Sequence, residues 1–234
     1  MKEIINQKRG VGLTLVDAPM PSLCPTDILV RVKAATICGS DFHIYNWDEQ
    51  WTVETVKPGQ IIGHEFCGIV ADIGQGVVGI SVGELVTAEG HISCGKCFHC
   101  TRGEAHICPH QVLLGFDYPG AFAEYVVVPS SNIVQLGTMP LVVGVLQDPF
   151  GNAVHSAMKA TLSNASVLVT GCGPIGLMTI AIARHSGAQA IFATETTPYR
   201  MGMALKMGVD FVLNPEVEDV GSFVSKKTSA SAGV

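Results

Sequence analysis

Ser166–Glu195 reads SVLVTGCGPIGLMTIAIARHSGAQAIFATE, and the rest of the chain falls into place on either side of it. SVLVT (166–170) is a short apolar run bounded by turn residues, which predicts a buried strand. GCGPIG follows, with Gly171, Gly173 and Gly176 in the GxGxxG spacing. Pro174–Gly187 predicts a helix, with proline in the first turn and glycine at the end. Ala190–Glu195 is a second strand closing on an acid. A lone GxGxxG carries little weight and could be an ordinary tight βα turn. The order strand, GxGxxG, helix, strand, acid is the dinucleotide-binding arrangement. In it Gly171 makes the turn, Gly173 admits pyrophosphate to the backbone, and Gly176 lets helix and strand pack closely. With Pro174 and Ile175, these residues present the helix N-terminus to the phosphates. Glu195, nineteen residues past Gly176, would accept the ribose hydroxyls and repel a 2′-phosphate. That predicts NAD over NADP as cofactor, with Arg200 near enough to weigh the other way.

Downstream, Tyr199–Gly208 predicts a helix, Phe211–Asn214 a third strand and Val217–Lys227 a weaker helix. A Ser/Ala-rich stretch, Thr228–Gly233, follows. A dinucleotide fold needs two βαβαβ halves, and one half precedes Val234. The expectation is therefore an α/β fold with a partial Rossmann domain over 148–234, its sheet ending in an open edge and its chain truncated. Upstream, Gly151–Leu162 has apolar residues at helical spacing, with His155 expected as a packed helix residue.

A second dense stretch is GHISCGKCFHCTRGEAHIC, Gly90–Cys108. Cys94, Cys97, Cys100 and Cys108 are separated by two, two and seven residues. Two-residue gaps let consecutive thiolates converge on one ion, and four thiolates close a tetrahedral structural Zn²⁺ site. The bland alternative is a disulfide cluster or unrelated buried thiols.

Composition narrows the class. The 234 residues are 47% hydrophobic and 15% charged, with a net charge of −6 and no dense Lys/Arg cluster. Nothing there favours nucleic acid or an anionic membrane as partner. MKEIINQKRG is too polar for a signal segment, and no apolar run reaches transmembrane length. Ligand-spaced cysteines without a secretory signal imply a reducing cytoplasm.

In the first 80 residues, Leu13–Val16 alternates weakly and Asp27–Ala35 (DILVRVKAA) strongly, as strands do. In TICGSDFH, Cys38 falls where strand gives way to turn. Ser40 and His43 are three apart, so one helical turn would align hydroxyl and imidazole. Taken singly they are a small core thiol, a capping Ser–Asp pair and a surface histidine. In GHEFCGIVADIGQGV (63–77), adjacent His64 and Glu65 would point to opposite sides of a strand. Both could face one site only if Gly63 twists the backbone. A buried structural pair and a ligand pair both fit that stretch. Cys67, on the side opposite His64, is expected in the core.

The pattern G-H-E, two residues, Gly, five, Gly, two, Val is similar to the zinc signature of the zinc-dependent medium-chain alcohol dehydrogenases. Cys38 upstream and the cysteine lobe downstream stand in that family's order. CGSDFHIYNWDE (Cys38–Glu49), EGHISCGKC (Glu89–Cys97), GAFAEYVVVP (Gly120–Pro129) and DPFGNAVH (Asp148–His155) resemble its branch acting on the 3-hydroxyl of L-threonine. The resemblance implies a GroES-like, β-rich catalytic domain over 1–147, with its zinc lobe at 90–110. It implies a catalytic Zn²⁺ on Cys38 and His64, with Glu65 as ligand or exchanging with water. Asp148 takes the remaining ligand's place, directly or through water. It implies Ser40 at the substrate oxygen and His43 passing the proton on. The implied reaction oxidises L-threonine to 2-amino-3-oxobutanoate with NAD; a polyol or simple alcohol is the close variant. A non-catalytic zinc-binding remnant is the alternative from another class. The family is homo-oligomeric, and its usual subunit contacts are expected to be absent here.

Overall fold

The computed structural model describes residues 1–48 and 54–229, so Glu49 and the Ser/Ala-rich end from residue 230 lie outside the described residues. The chain divides into two compact units, Met1–Asp148 and Pro149–Val234.

The first unit is built on an antiparallel sheet of order β10-β6-β5-β3-β9. Its strands are β3 (Asp27–Ala35), β5 (Phe66–Ile73), β6 (Leu85–Ala88), β9 (Tyr125–Pro129) and β10 (Ile133–Gln135). DILVRVKAA forms β3 because its alternation fits a half-buried strand. Ile28 and Val30 are fully buried, while Arg31 and Lys33 face solvent. The buried side chains meet Phe66, Val70, Val86, Val126 and Val128 in one core. A smaller sheet joins β1 (Lys2–Asn6), β2 (Thr14–Asp17) and β4 (Gln60–Ile61) in the order β2-β1-β4. Helix α1 (Gly39–Asn46) follows β3, and a β7–β8 pair (His91–Ile92, Val112–Leu113) brackets the cysteine lobe. Two helices close the unit's sequence, α2 (Leu141–Gly144) and α3 (Gln147–Ala157), and the division between units falls within α3.

The second unit has a parallel sheet of order β11-β12-β13 (Ser166–Thr170, Ala190–Thr194, Phe211–Leu213). The crossovers are α4 (Pro174–His185) and α5 (Pro198–Lys206), and α6 (Val220–Ser229) follows. Ile180 and Ala183 of α4 pack with Val169, Ile191 and Ala193 of the sheet. Phe192 stacks on Phe211 at 5.2 Å between ring centroids, and Phe223 of α6 meets Phe211 edge-on at 5.5 Å. That aromatic contact anchors a helix whose own periodicity is weak.

One expectation needs correction. His155 is exposed on α3 rather than packed, because the buried face of that helix carries Pro149, Ala153 and Ala157. Cys67 is fully buried, its thiol donating to the Leu141 carbonyl at 3.5 Å. Among the described residues no helix is long and apolar enough to cross a membrane.

Candidate functional site

Donor atoms of Cys38, His64 and Glu65 all lie within 4.8 Å of one another. The backbone explains how two adjacent residues reach the same point. Gly63 sits at φ +89, in the left-handed region closed to most side chains, and β5 starts only at Phe66. His64 and Glu65 therefore lie on a twisted lead-in, where strand alternation does not apply. Cys38 is the residue before α1, three residues past the end of β3.

Asp41 ties these pieces together. It is buried, its Oδ2 accepts the Cys38 N–H at 2.8 Å, and it accepts a backbone hydrogen bond from Gly63. Burial pushes its pKa up. Its other oxygen, Oδ1, is buried without a hydrogen-bond partner, as is His64 Nδ1, and the two are 3.8 Å apart. Glu65 accepts a hydrogen bond from the Thr36 hydroxyl, and its carbonyl accepts the Thr36 N–H at 3.0 Å.

The electrostatics suit a cation. Hydrogen bonding from His64, then from the Ser40 hydroxyl and N–H, draws the Cys38 pKa down despite burial. For His64, burial opposes the charge most strongly, but Cys38, Asp41 and Asp148 outweigh it and raise the pKa. Soft thiolate, imidazole and carboxylate together form a donor set suited to Zn²⁺ with a position left open.

Asp148 stands beside this cluster rather than within it. A Cβ on Gly90 would lie 3.8 Å from Asp148 Oδ1 and 3.9 Å from the His64 Cβ. Burial raises the Asp148 pKa, countered by the charge of His64. On the same side, His91 Nδ1 meets Glu89 Oε1 at 2.6 Å; this pairing raises the His91 pKa, and Asp148 adds to it. Ser40 and His43 are on α1, with Ser40 hydrogen-bonded to Cys38 and His43 Nδ1 3.0 Å from Asp48 Oδ1.

Four thiols form the second cluster, Cys94, Cys97, Cys100 and Cys108. Four of their sulfur–sulfur separations are 3.5, 3.6, 3.8 and 4.0 Å. A disulfide would hold two sulfurs at about 2.05 Å, whereas a tetrahedron with Zn–S of about 2.3 Å has edges near ~3.8 Å. The cysteines are free, and their spacing matches the tetrahedron. The Lys96 N–H pulls the Cys94 thiol down to about 6, while burial and neighbouring thiols push Cys100 up to about 11. Four adjacent thiols resist joint ionisation without a cation, which a bound Zn²⁺ supplies.

The glycine-rich loop lines a cleft of about 750 Å³. Thr170, Gly171, Gly173, Pro174, Ile175 and Gly176 form its loop side. A Cβ on Gly176 would be 2.0 Å from the Gly171 carbonyl oxygen, so only glycine fits. A Cβ on Gly173 would meet nothing within 4 Å, leaving the backbone open on its outer side. Glu195 is buried and already engaged. Its Oε2 accepts from Cys172 N at 3.1 Å and its Oε1 from Thr196 N and Thr197 N at 2.9 Å each. Arg200 Nη1 is 3.9 Å from Oε2.

Sequence reasoning missed Asp41, Thr36 and Glu89–His91 as site residues. Asp41 carried a signal, since GSD after a strand placed it in the first turn of α1, but only a capping role could be read from it.

A GroES-like sheet, a Cys–His–Glu cluster, a four-thiol lobe and a glycine-rich βα loop are together the features of the zinc-binding dehydrogenase family. Comparison with known proteins agrees. Residues 24–138 match the alcohol dehydrogenase GroES-like domain and residues 174–234 the zinc-binding dehydrogenase domain. The chain is 44% identical over 229 residues to the L-threonine 3-dehydrogenase of Caldanaerobacter subterraneus, covering 97% of this chain and 66% of that one. It is 42% identical over 234 residues to the L-threonine 3-dehydrogenase of Deinococcus deserti, covering 100% and 68%. The alcohol dehydrogenase of Thermus sp. ATN1 superposes with a TM-score of 0.89 at 32% identity, covering 98% of this chain and 67% of that one. The chain belongs to the zinc-dependent alcohol dehydrogenase family. It spans about two thirds of the length of the curated relatives it matches.

Proposed function

We propose that this chain serves a zinc-dependent oxidoreductase that moves hydride from the 3-hydroxyl carbon of L-threonine to NAD, giving 2-amino-3-oxobutanoate. The observation that carries the proposal is the convergence of Cys38, His64 and Glu65 beside Ser40 on α1. Threonine as substrate is supported by the similarity to L-threonine 3-dehydrogenases.

When bound, Zn²⁺ supplies Lewis acidity that lowers the pKa of a substrate hydroxyl. Cys38, His64 and Glu65 would hold it, with Asp148 beside them as a ligand directly or through water. Ser40 would hydrogen-bond the reacting oxygen, and His43, paired with Asp48, would receive its proton and release it to solvent. Bound NAD would supply the hydride acceptor, so that oxidation of the alcohol would release two electrons as hydride and one proton. Gly171, Gly173, Pro174, Ile175 and Gly176 would cradle the pyrophosphate. Glu195 would offer the ribose an acceptor by exchanging one of its backbone bonds, and its charge disfavours a 2′-phosphate. Cys94, Cys97, Cys100 and Cys108 would hold the structural Zn²⁺.

The test is reduced-nucleotide production with L-threonine, sorbitol and ethanol, each with NAD and NADP, alongside a count of zinc per chain. NADH from threonine is the expected result. Faster turnover of sorbitol or ethanol would move the substrate assignment, and equal use of NADP would remove the role given to Glu195. Two zinc ions with no product from any pair would leave a metal-binding protein without this chemistry.

A further inference from the structure

His64 shares a hydrogen bond with Cys38 but is held by hydrogen bonding on that side alone. Its Nδ1 is buried without a partner, and Asp41 Oδ1 at 3.8 Å is beyond hydrogen-bonding reach. A single hydrogen bond to Cys38 leaves the imidazole free to turn about that axis, so the plane of the ring needs a second contact. The Phe116 ring packs against it with centroids 5.4 Å apart and planes tilted by 45°. Phe116 is itself buried and belongs to a cluster with Ile44 of α1, Val56 and Ile62.

The backbone locks this contact in place. Gly115, just before Phe116, sits at φ +79, and a Cβ there would come within 2.7 Å of the Gly63 carbonyl oxygen. A Cβ on Gly120 would come within 2.5 Å of the same atom. The Ala121 N–H donates to that oxygen at 2.8 Å, and the Phe122 N–H to the Ile62 carbonyl at 2.9 Å. The 115–122 loop is thus seated on the twist that aims His64.

We propose that Phe116 is a positioning residue for the metal centre: its ring sets the rotation of His64 and so the convergence of the imidazole with Cys38 and Glu65. This rests on the reading of those three residues as a metal site. Unlike a further hydrogen bond, a ring packed at a tilt restricts rotation of the imidazole without occupying its nitrogens. A loose imidazole loses metal affinity by the same route as a lost outer-shell hydrogen bond, on the order of tenfold.

Phe116→Leu keeps apolar volume but removes the flat face. The full chain, loaded with Zn²⁺ or Co²⁺, is titrated with a chelator, and ion release and the Co²⁺ absorption spectrum are followed. In F116L the ion at Cys38–His64–Glu65 is expected to be held about tenfold more weakly. Its spectrum should alter, while the ion in the four-thiolate lobe is held as in the wild type. If Leu disturbs the fold, Phe116→Met, of similar volume, is read in the same way. Two ions in the wild type and an unaltered second ion in F116L would overturn the positioning role alone. Equal weakening of both ions would show a general packing effect and also overturn it. A wild-type chain that takes up only the lobe ion would sink the metal-site reading and this role with it.

Discussion

Two demands meet on the Glu195 carboxylate. It serves three backbone N–H groups of its own loops, and the proposed function also asks it to receive a ribose. Hydrogen bonds from Thr197, Cys172 and Thr196 hold its pKa below the ordinary carboxylate value. A depressed folded pKa contributes stability that is present above the unfolded value of about 4.3 and is lost as pH falls through the folded value. Glu195→Gln leaves one acceptor oxygen for three donors. Its melting temperature is expected below wild type at about pH 7, with the gap narrowing below about pH 4 as the wild type protonates. A gap independent of pH, followed by circular dichroism, would show that the charge is not what matters. At the same scale, His43→Ala should cut turnover at least about tenfold while zinc content stays unchanged; wild-type turnover would remove His43 from the proton path. The motif spacing made Glu195 legible as an acid at a strand end. Its inward rotation was not, because side-chain direction depends on the loop N–H groups that fold around it.

Among the elements, the βα turn after β11 separates packing from binding cleanly. Gly176 faces the Gly171 carbonyl and Gly173 faces open space. Gly176→Ala forces the α4 N-terminus off the strand and is expected to cost about 2–3 kcal/mol in unfolding free energy. Gly173→Ala should leave thermal unfolding within about 0.5 kcal/mol of wild type and weaken NAD binding in a calorimetric titration. If both variants bind NAD normally, the cleft is not the pyrophosphate site. Strand β3 and the β11–α4–β12 segment were legible because period and turn chemistry agree there. Strands β1, β6 and β9 were not marked. Strands β6 and β9 have pairing partners far away in sequence, as Gln135↔Val86 and Asp27↔Pro129 show, whereas β1 pairs with the nearby β2 but lacks a clear alternation. The His64–Glu65 lead-in could be read two ways, since alternation argued against a shared site and only the Gly63 twist permits one.

For the molecule as a whole, the apolar cores are distributed unevenly along the chain. The five-stranded sheet and the parallel sheet each have a buried apolar cluster. The lobe from Cys94 to Cys108 has none: of its residues only Cys108 is buried. Its attachment is polar, through Asn132 Nδ2, which donates to the Glu89 and His91 carbonyls at 2.9 and 3.0 Å. A segment without a core can hold its shape through four metal–thiolate bonds, worth on the order of 10 kcal/mol when apo and folded states are coupled. Stripping zinc with a chelator is therefore expected to open the lobe first. Limited proteolysis should then cut between residues 94 and 108 while fragments carrying the two sheets persist. If the cleft beside the glycine-rich loop takes NAD, added NAD should raise the second unit's unfolding temperature in the stripped protein as in the loaded one. Simultaneous loss of both sheets on chelation would mean that the lobe, and not the apolar cores, organises the chain.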